Sequence, residues 1–284
     1  MDFQRCGSSP EDLQRYCELF SACFPDAGKL GSVDYLKWLY VDNPEGEVVG
    51  FNAVDGDRLA AHYVCVPMRV NIHGASERVL LSLNTATHPD FQGQGLFTKL
   101  AERTYEAGTS DGFHAVYGVA NANSTPGFLR KLAFDLISPL ESKMGTGLLG
   151  EIDWGAAVAD SDFSADWNGT NLAWRLANPA NLLSAAICQD GSIGVSGKSS
   201  KPMIDAWAQI PSVSGVTTKK SGISIKPRVW LGLVPKRLGS IKGYAELPEN
   251  LRPSPLNLIY RNLQDGKPIA AENVMFSFLD FDAF

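Results

Sequence analysis

The stretch LSLNTATHPDFQGQGLF, residues 81–97, decides the fold prediction for this chain of 284 residues. It begins as an apolar strand, stops at the dipeptide His88-Pro89, and then passes through a turn carrying Gly93 and Gly95 into a helical pattern. Glycine permits a positive φ angle and lets a ligand approach the backbone closely. The first amide groups of the following helix have no intrahelical acceptor and lie at its positive end. The stretch therefore predicts a phosphate-binding turn between a strand and a helix.

The segments on either side of this turn alternate between helical and strand patterns. The predicted helices are 11–24, 33–40, 95–107 and 124–132, and the predicted strands are 47–54, 59–72, 78–87, 113–119 and 134–140. Three strands in succession, followed by strands that alternate with helices, predict an α/β layer structure with one helical crossover.

The second half of the chain follows a segment rich in Gly, Ala, Ser and Asp. We predict a first domain over 1–150, a linker over 151–168 and a second domain over 169–284. The segment YLKWLYVDNP at 35–44 resembles NLAWRLANP at 171–179 when one residue is dropped. Two interpretations stay open, namely a chance match or a tandem of related folds with a degenerate second copy.

Composition and charge exclude several classes of protein. The apolar content of 44% and the charged content of 20% are typical of a soluble globular protein, and no apolar run reaches the ~20 residues of a membrane span. The N-terminus lacks a signal-peptide pattern, so we expect a cytoplasmic protein without a membrane partner. Five cysteines without a CxxC pair argue against disulfides and against a bound metal. The net charge of −6 argues against nucleic acid as a partner.

Two motifs in the first half resemble the acyl-CoA-binding motifs of the GNAT acetyltransferase superfamily. THP at 87–89 and QGQGLF at 92–97 resemble motif A, V-x-P followed by [QR]-x-x-G-x-[GA], although Phe97 replaces the small residue. NANSTPGFLRKLAF at 121–134 resembles motif B, N-x-x-S followed by an aromatic residue and K-L-G-F, with Ala133 in place of the glycine. The resemblance covers about residues 10–145.

This resemblance implies a fold and a co-substrate. The fold is a mixed central sheet with flanking helices, followed by a smaller degenerate α/β copy, and the co-substrate is acetyl-CoA or another acyl-CoA. The implied binding residues are Ala86 and Thr87 along the pantetheine arm, Gln92, Gly93, Gln94, Gly95 and Leu96 at the pyrophosphate, and Asn121 and Ser124 on the same ligand path. The family's strand split also leaves the thioester carbonyl near a backbone donor. Asn121 and Ser124 have a second, compatible interpretation as helix caps.

The general acid and base stay open at this point. The tyrosine that many relatives place in motif B falls at Leu129, which has no proton to give to the leaving thiolate. No carboxylate stands on the strand at 78–87, and Asn84 is the polar candidate there, as a group that positions a water. His88 is a group that titrates near neutrality, but beside a proline we interpret it as a loop residue.

The C-terminal run VMFSFLDFDAF at 274–284 is apolar and should dock rather than dangle. If it docks over the cleft of the first domain, Asp280, Asp282 or the carboxylate of Phe284 would serve as the base, and Asp282 is the preferred candidate. The alternative is an ordinary closing strand with solvated aspartates.

The function implied by the resemblance is acyl-CoA-dependent N-acylation of a small-molecule amine acceptor, such as a nucleotide-linked amino sugar. Nine Lys and Arg residues lie in 198–242, against Asp205 as the one acidic residue. A solvated loop face is the default explanation for them, and the alternative is attraction of a phosphate-bearing acceptor. The alternative function is a non-catalytic acyl-CoA-binding or scaffold protein. The sequence does not determine the acceptor, the acyl length or the oligomeric state.

Overall fold

The computed structural model describes residues 1–150, 152–199, 201–214, 219–220, 226–238, 241–247 and 255–283. The helices are α1 (Pro10–Cys23), α2 (Val33–Tyr40), α3 (Leu96–Ser110), α4 (Thr125–Lys131), α5 (Trp154–Ala159) and α6 (Gly169–Leu176). The strands before α5 are β1 (Asp2–Arg5), β2 (Val49–Asp55), β3 (Arg58–Ile72), β4 (Ala75–Thr87), β5 (Ala115–Ala120), β6 (Asp135–Pro139) and β7 (Glu141–Gly145). The later strands are β8 (Phe163–Ala165), β9 (Ser184–Ile187), β10 (Ile193–Lys198), β11 (Asp205–Ile210), β12 (Lys219–Lys220), β13 (Arg228–Leu233), β14 (Tyr244–Glu246), β15 (Asn257–Asn262) and β16 (Val274–Ser277).

The helices and strands predicted in the first half are all present, with ends that differ by a few residues. Local signals set these ends. Ser9 caps α1 in a capping box, in which its hydroxyl accepts the amide of Asp12 at 3.1 Å and the Asp12 carboxylate accepts the amide of Ser9. The sequence pattern does not predict β1, which pairs antiparallel with β2.

The first sheet follows the predicted order. Strands β1 to β4 are antiparallel neighbours, and α3 then carries the chain across to β5, which runs parallel to β4. These two strands pair only from Val79 with Ala115 to Ser82 with Gly118. Beyond that register they part, although β4 continues to Thr87 along β3. The sheet is therefore split at the carboxyl ends of its two parallel strands.

The second half repeats this plan on a smaller scale. Strands β9, β10 and β11 form an antiparallel meander, and β13 runs parallel to β11. The matching helices α2 and α6 pack together through Trp38 and Trp174, whose rings stack at 4.9 Å between centroids. Each indole nitrogen donates to the other's backbone carbonyl, at 2.8 and 2.9 Å. This reciprocal contact and the shared topology support the tandem interpretation, and the predicted fold class is confirmed.

The two halves also exchange strands. Strand β7, from the first half, pairs with β13, whereas β15, from near the C-terminus, lies between β5 and β6. The predicted linker contains α5 and β8, and β8 pairs with both β3 and β16, so the two sheets are continuous. The boundaries of the two predicted domains stay predictions. No helix in the described ranges is long and apolar enough to cross a membrane.

Candidate functional site

A cleft of about 510 Å³ opens where β4 and β5 part. Its walls come from the end of β4, the end of β5, the start of α3, the loop into α4 and one residue of β15. The lining residues are Ser82, Leu83, Asn84, Thr85, Phe97, Gly118, Val119, Ala120, Asn121, Asn123, Ser124, Gly127, Phe128 and Ile259. Two motifs that are separate in the sequence, 81–97 and 119–128, therefore meet at one site.

The glycine turn lies at the N-terminus of α3. Gly93 and Gly95 have φ angles of 78° and 69°, and a Cβ added at either position would meet no heavy atom within 4 Å. Glycine is thus required by the backbone conformation rather than by packing, and the space beside it is open. The amides of Gln94 through Phe97 have no acceptor among the described residues. These donors, at the positive end of a helix of 15 residues, suit a polyanion such as a pyrophosphate.

The end of β4 has one paired edge and one open edge. Ala86 and Thr87 pair with His62 and Ala61 of β3, but β5 no longer lies on the other side at this height. An extended ligand with amide groups can therefore add to this edge as a strand would. This is the place where the sequence predicts the pantetheine arm.

Asn121 and Ser124 form hydrogen bonds within the loop that leads into α4. The Asn121 side-chain oxygen accepts the amides of Asn123 and Ser124, each at 3.0 Å, and the Ser124 hydroxyl at 3.1 Å. Asn121 thus caps the turn that precedes α4, whereas Ser124 holds the N-cap position of α4 without a side-chain hydrogen bond to the helix amides. Both residues are also in the cleft lining, and the Asn121 amide nitrogen has no partner among the described residues. The two roles are compatible, as the sequence suggests.

The two residues that depart from motifs A and B, Phe97 and Leu129, both make apolar packing contacts. Phe97 packs edge-on against Phe128 at 5.3 Å, and its ring lies close to Gly127, so an aromatic pair replaces the small residue of motif A. Leu129 packs against the apolar core under α3 and α4. It offers no proton donor to the cleft.

Asn84 lies in a β-bulge at the point of the split. The register between β3 and β4 shifts here, and Asn84 has a φ angle of 50°. Its amide nitrogen donates to the Tyr40 hydroxyl at 3.2 Å. A β-bulge bends the strand and changes the direction in which its side chains point.

Asp282, the preferred base candidate, lies in a buried polar cluster instead of the cleft lining. Its carboxylate accepts from Lys29 at 2.9 Å, from the Tyr35 hydroxyl at 2.7 Å and from the Asn178 amide at 2.7 Å. The buried guanidinium of Arg175 lies at 3.8 Å. These contacts favour an anchoring role for Asp282, and the identity of the base stays a prediction.

The tail has two further carboxylates, those of Asp280 and Phe284. Asp280 is buried, its Oδ2 accepts from the Ser277 hydroxyl at 3.0 Å, and its Oδ1 has no partner among the described residues. Burial raises the pKa of Asp280 to about 6. The Asp280 backbone carbonyl accepts from the hydroxyl of Tyr117 on β5. Phe284 lies outside the described residues.

Several members of the basic stretch have partners within the chain. Lys226 pairs with Asp205, and Arg237 pairs with Asp160 at 3.3 Å. Arg228 is buried and stacks on Trp207 at 3.6 Å. The side chains of Lys219 and Lys220 lie outside the described residues. The stretch is thus only partly available to a phosphate-bearing ligand.

Comparison with known proteins gives a match to one family model over part of the chain and similarity to solved structures over most of it. Residues 7–137 match the model of the Acetyltransferase (GNAT) domain. Over 93% of its length the chain is similar to a probable N-acyltransferase from Enterococcus faecalis V583, with a TM-score of 0.60, 10% sequence identity and 72% of that chain covered. It is similar over the same share to a GCN5-related N-acetyltransferase from Anabaena variabilis ATCC 29413, with a TM-score of 0.61, 11% identity and 73% of that chain covered. For Eis1 from Mycobacterium abscessus, also matched over 93% of this chain, the TM-score is 0.56, the identity 12% and the covered share of that chain 74%. At these identities the similarity shows a shared fold. No curated protein sequence matches the chain.

Proposed function

We propose that the chain is an N-acyltransferase that moves an acetyl or other short acyl group from acyl-CoA to a small amine, because residues 7–137 match the model of the Acetyltransferase (GNAT) domain. The observation that carries the proposal is the split between β4 and β5, which opens beside the glycine turn at the start of α3. The polar loop lines this cleft, and the amides that suit a phosphate and the open strand edge directly adjoin its lining residues Phe97 and Thr85.

The residues of the cleft fit acyl-CoA by their chemistry. The amides of Gln94 to Phe97 suit the pyrophosphate, and the open edge at Ala86 and Thr87 suits the two amides of the pantetheine arm. The thioester would then lie at the bulge around Asn84. Acyl-CoA supplies the activated acyl group, and the chain's own groups bind it, orient it and exclude competing nucleophiles.

The reaction forms a carbon–nitrogen bond and breaks the carbon–sulfur bond of the thioester. The amine nitrogen loses one proton and the sulfur gains one, so that CoA leaves as the free thiol. With leucine at position 129, the proton on the thiol comes from solvent or from a group outside motif B. The acceptor that we favour is a small amine such as a nucleotide-linked amino sugar. A cytoplasmic location is part of the same proposal.

The test of this function is release of free CoA thiol from acetyl-CoA in the presence of a panel of amines. The panel should include simple primary amines, amino sugars and nucleotide-linked amino sugars. Amine-dependent thiol release together with an acylated amine in the mass spectrum supports the proposal. Tight CoA binding without turnover on any amine favours the scaffold function instead.

A variant pair tests the donor site. Gly95 and Gly112 have φ angles of 69° and 81° at opposite ends of α3, and a Cβ at either would meet no atom within 4 Å. Valine should therefore strain the backbone similarly at both positions, but only at Gly95 would it block the phosphates. We expect Gly95→Val to weaken CoA binding at least ~100-fold, equivalent to about 2.7 kcal/mol, and Gly112→Val to leave it nearly unchanged. Equal affinities in isothermal titration calorimetry, with both folds intact, contradict the donor site.

A further inference from the structure

A chain of buried hydrogen bonds runs from the N-terminal segment to the edge of the cleft. Asn84 Nδ2 lies 3.2 Å from the Tyr40 hydroxyl, which lies 3.1 Å from His62 Nε2. His62 Nδ1 lies 2.7 Å from Oδ1 of Asn52, and Asn52 Nδ2 lies 3.1 Å from the hydroxyl of Tyr16. The chain therefore joins the end of α2, two adjacent strands and α1 to the bulge on β4.

At the Tyr16 end of this series of hydrogen bonds, the backbone of one residue, Gly7, fixes the direction in which the Tyr16 hydroxyl donates. The Tyr16 hydroxyl lies 3.1 Å from the amide nitrogen of Gly7 and 3.0 Å from the carbonyl oxygen of the same residue. The hydroxyl can accept the first group's proton and give its own proton to the second. Both backbone groups are satisfied only if Tyr16 donates to the Gly7 carbonyl.

This anchor sets the direction of every bond in the chain. Because the Tyr16 hydroxyl donates its proton to the Gly7 carbonyl, its oxygen must accept from Asn52. Asn52 therefore has its side-chain nitrogen toward Tyr16 and its side-chain oxygen toward His62. His62 therefore carries its proton on Nδ1.

The His62 tautomer decides the far end of the chain. His62 Nε2 accepts from Tyr40, and the oxygen of Tyr40 accepts from the amide of Asn84. His62 and Tyr40 are fully buried, and burial lowers the pKa of His62 to about 3, so the imidazole is neutral as this direction requires. With its nitrogen held by Tyr40, the Asn84 side chain leaves Oδ1 without a partner among the described residues, in a residue that lines the cleft.

We infer that this chain of bonds holds Asn84 Oδ1 as the acceptor for an N–H of the attacking amine, with Tyr40 and His62 as positioning residues. The inference rests on the proposed function. Asn84 would orient the nitrogen so that its lone pair faces the thioester carbon, and the carboxamide itself takes no proton. The acceptor class that fits is therefore a primary amine, which can give one N–H to Asn84 and lose the other on acyl transfer.

A buried chain of this kind needs a functional reason as much as a structural one. Polar groups in a core must each find a partner, and an apolar core of the same shape is often at least as stable. Here each residue from Tyr16 to Asn84 bonds the next, and the route ends at the cleft on a residue with a left-handed φ angle. The Cys6 thiol also donates to Asn52 Oδ1, at 3.3 Å, which is compatible with the direction of these bonds because that oxygen accepts. The arrangement fixes one side-chain orientation at the place where the acyl carbon would lie.

The test uses two tyrosines that each lose one buried hydroxyl. Tyr40→Phe breaks the bond to Asn84, whereas Tyr105→Phe removes a hydroxyl that bonds only the Tyr63 hydroxyl among the described residues. We expect Tyr40→Phe to lower kcat/KM for the amine about 10-fold, the value of one hydrogen bond, with the Kd of CoA unchanged. Tyr105→Phe should match the wild-type protein in both measurements.

A double-mutant cycle separates positioning from a general structural effect. Asn84→Gly removes the carboxamide and still tolerates the φ angle of 50°. If Tyr40 acts through Asn84, then Tyr40→Phe should add nothing to Asn84→Gly, because the two effects are not independent. Additive losses overturn the inference, as does a Tyr40→Phe enzyme that matches Tyr105→Phe.

The remaining outcomes also decide between the two proposals. A wild-type protein that transfers no acyl group overturns the proposed function and this inference together. A wild-type protein that is active, with Asn84→Gly equally active, overturns this inference alone. Should Tyr40→Phe fail to fold, the kcat/KM of Asn84→Gly decides, and a loss of about 10-fold supports the role of Oδ1.

Discussion

The two halves of the molecule contain the same split between parallel strands, but only the first half keeps it open. In the first half β4 and β5 part to leave a cleft of about 510 Å³. In the second half β11 and β13 part after Trp207 and Trp230, and the 3-10 turn Phe278–Asp280 contacts both strands there. The cavity that remains beside this turn is only about 10 Å³. The tail of the polypeptide therefore occupies a place that corresponds to the open cleft of the first half.

The difference shows that topology alone does not make a binding site. The first half adds a glycine turn and a helix of 15 residues between its two parallel strands. The second half has no comparable helix in the described residues between β11 and β13. Its strand ends carry Trp207 and Trp230, whose rings fill the core there. The same backbone plan thus leaves an open cleft in one half and is filled by packing in the other.

The largest expected effect concerns Asp282, the residue through which the tail ties the two halves together. Its partners are Lys29 and Tyr35 from the first half and Arg175 and Asn178 from the second. Asp282→Ala leaves the buried guanidinium of Arg175 without its ion-pair partner, so we expect a loss of about 3–5 kcal/mol in the free energy of unfolding.

Asp282→Asn is the matched control for this prediction. It keeps the side-chain shape and tolerates the positive φ angle of 57° at this position. Because it also leaves the guanidinium of Arg175 without a charged partner, its loss should be nearly as large as that of Asp282→Ala and smaller only by the hydrogen bonds that the amide still makes. Urea denaturation of the three proteins measures both effects. A change below about 1 kcal/mol for Asp282→Ala would contradict the anchoring role.

A smaller effect is expected at Asp280, in the turn that fills the second split. Its folded pKa is raised to about 6 from 3.8 by burial. Since the raised pKa favours the protonated form, the stability from this group is present below pH 3.8 and is lost as the pH rises to about 6.

Asp280→Asn removes this titration. A shift of two pKa units corresponds to roughly 3 kcal/mol, and the unpartnered amide of the new side chain offsets part of it. We therefore expect the variant to gain about 2 kcal/mol relative to the wild-type protein between pH 4 and pH 7, by urea denaturation at each pH. A difference that does not change with pH would show that the carboxyl is not buried as described.

The smallest effect tests the symmetry of the comparison. Trp38 and Trp174 make the same contact in opposite directions. Trp38→Phe and Trp174→Phe should each cost about 1 kcal/mol for one lost hydrogen bond, and the two losses should be alike. The double variant should lose less stability than the sum of the two single losses, because the two rings contact each other. The two losses are measured by thermal unfolding. If only one of the two substitutions lowers the stability, the two tryptophans do not contribute equally.

The sequence predicts the parts of the fold and site that depend on short-range signals. The glycine turn at 92–97 and the cap at 121–124 each lie within a few residues, so their structure follows from local chemistry. The Trp–Asn-Pro echo predicts a second copy, and the reciprocal contact of the two tryptophans supports that prediction.

The parts that the sequence could not predict depend on contacts between distant residues. Asn84 meets Tyr40 across 44 positions, and Asp282 meets Lys29 across 253. Tyr40 lies in the echo at 35–44, where Leu176 corresponds to it in the second segment, and His62 lies in no motif, so no pattern predicts a role at the cleft for either. The exchange of β7 and β15 is likewise invisible to periodicity, which reports the face of a strand but not its neighbour.

The central claim is that one half binds acyl-CoA and the other does not, and hydrogen–deuterium exchange with and without CoA tests it most directly. The account predicts that CoA slows amide exchange in peptides covering 82–98 and 118–128, where the cleft and the phosphate-binding turn lie. Peptides covering 184–233 should exchange at the same rate with and without CoA. Protection confined to 184–233, or shared equally by both halves, would contradict the account.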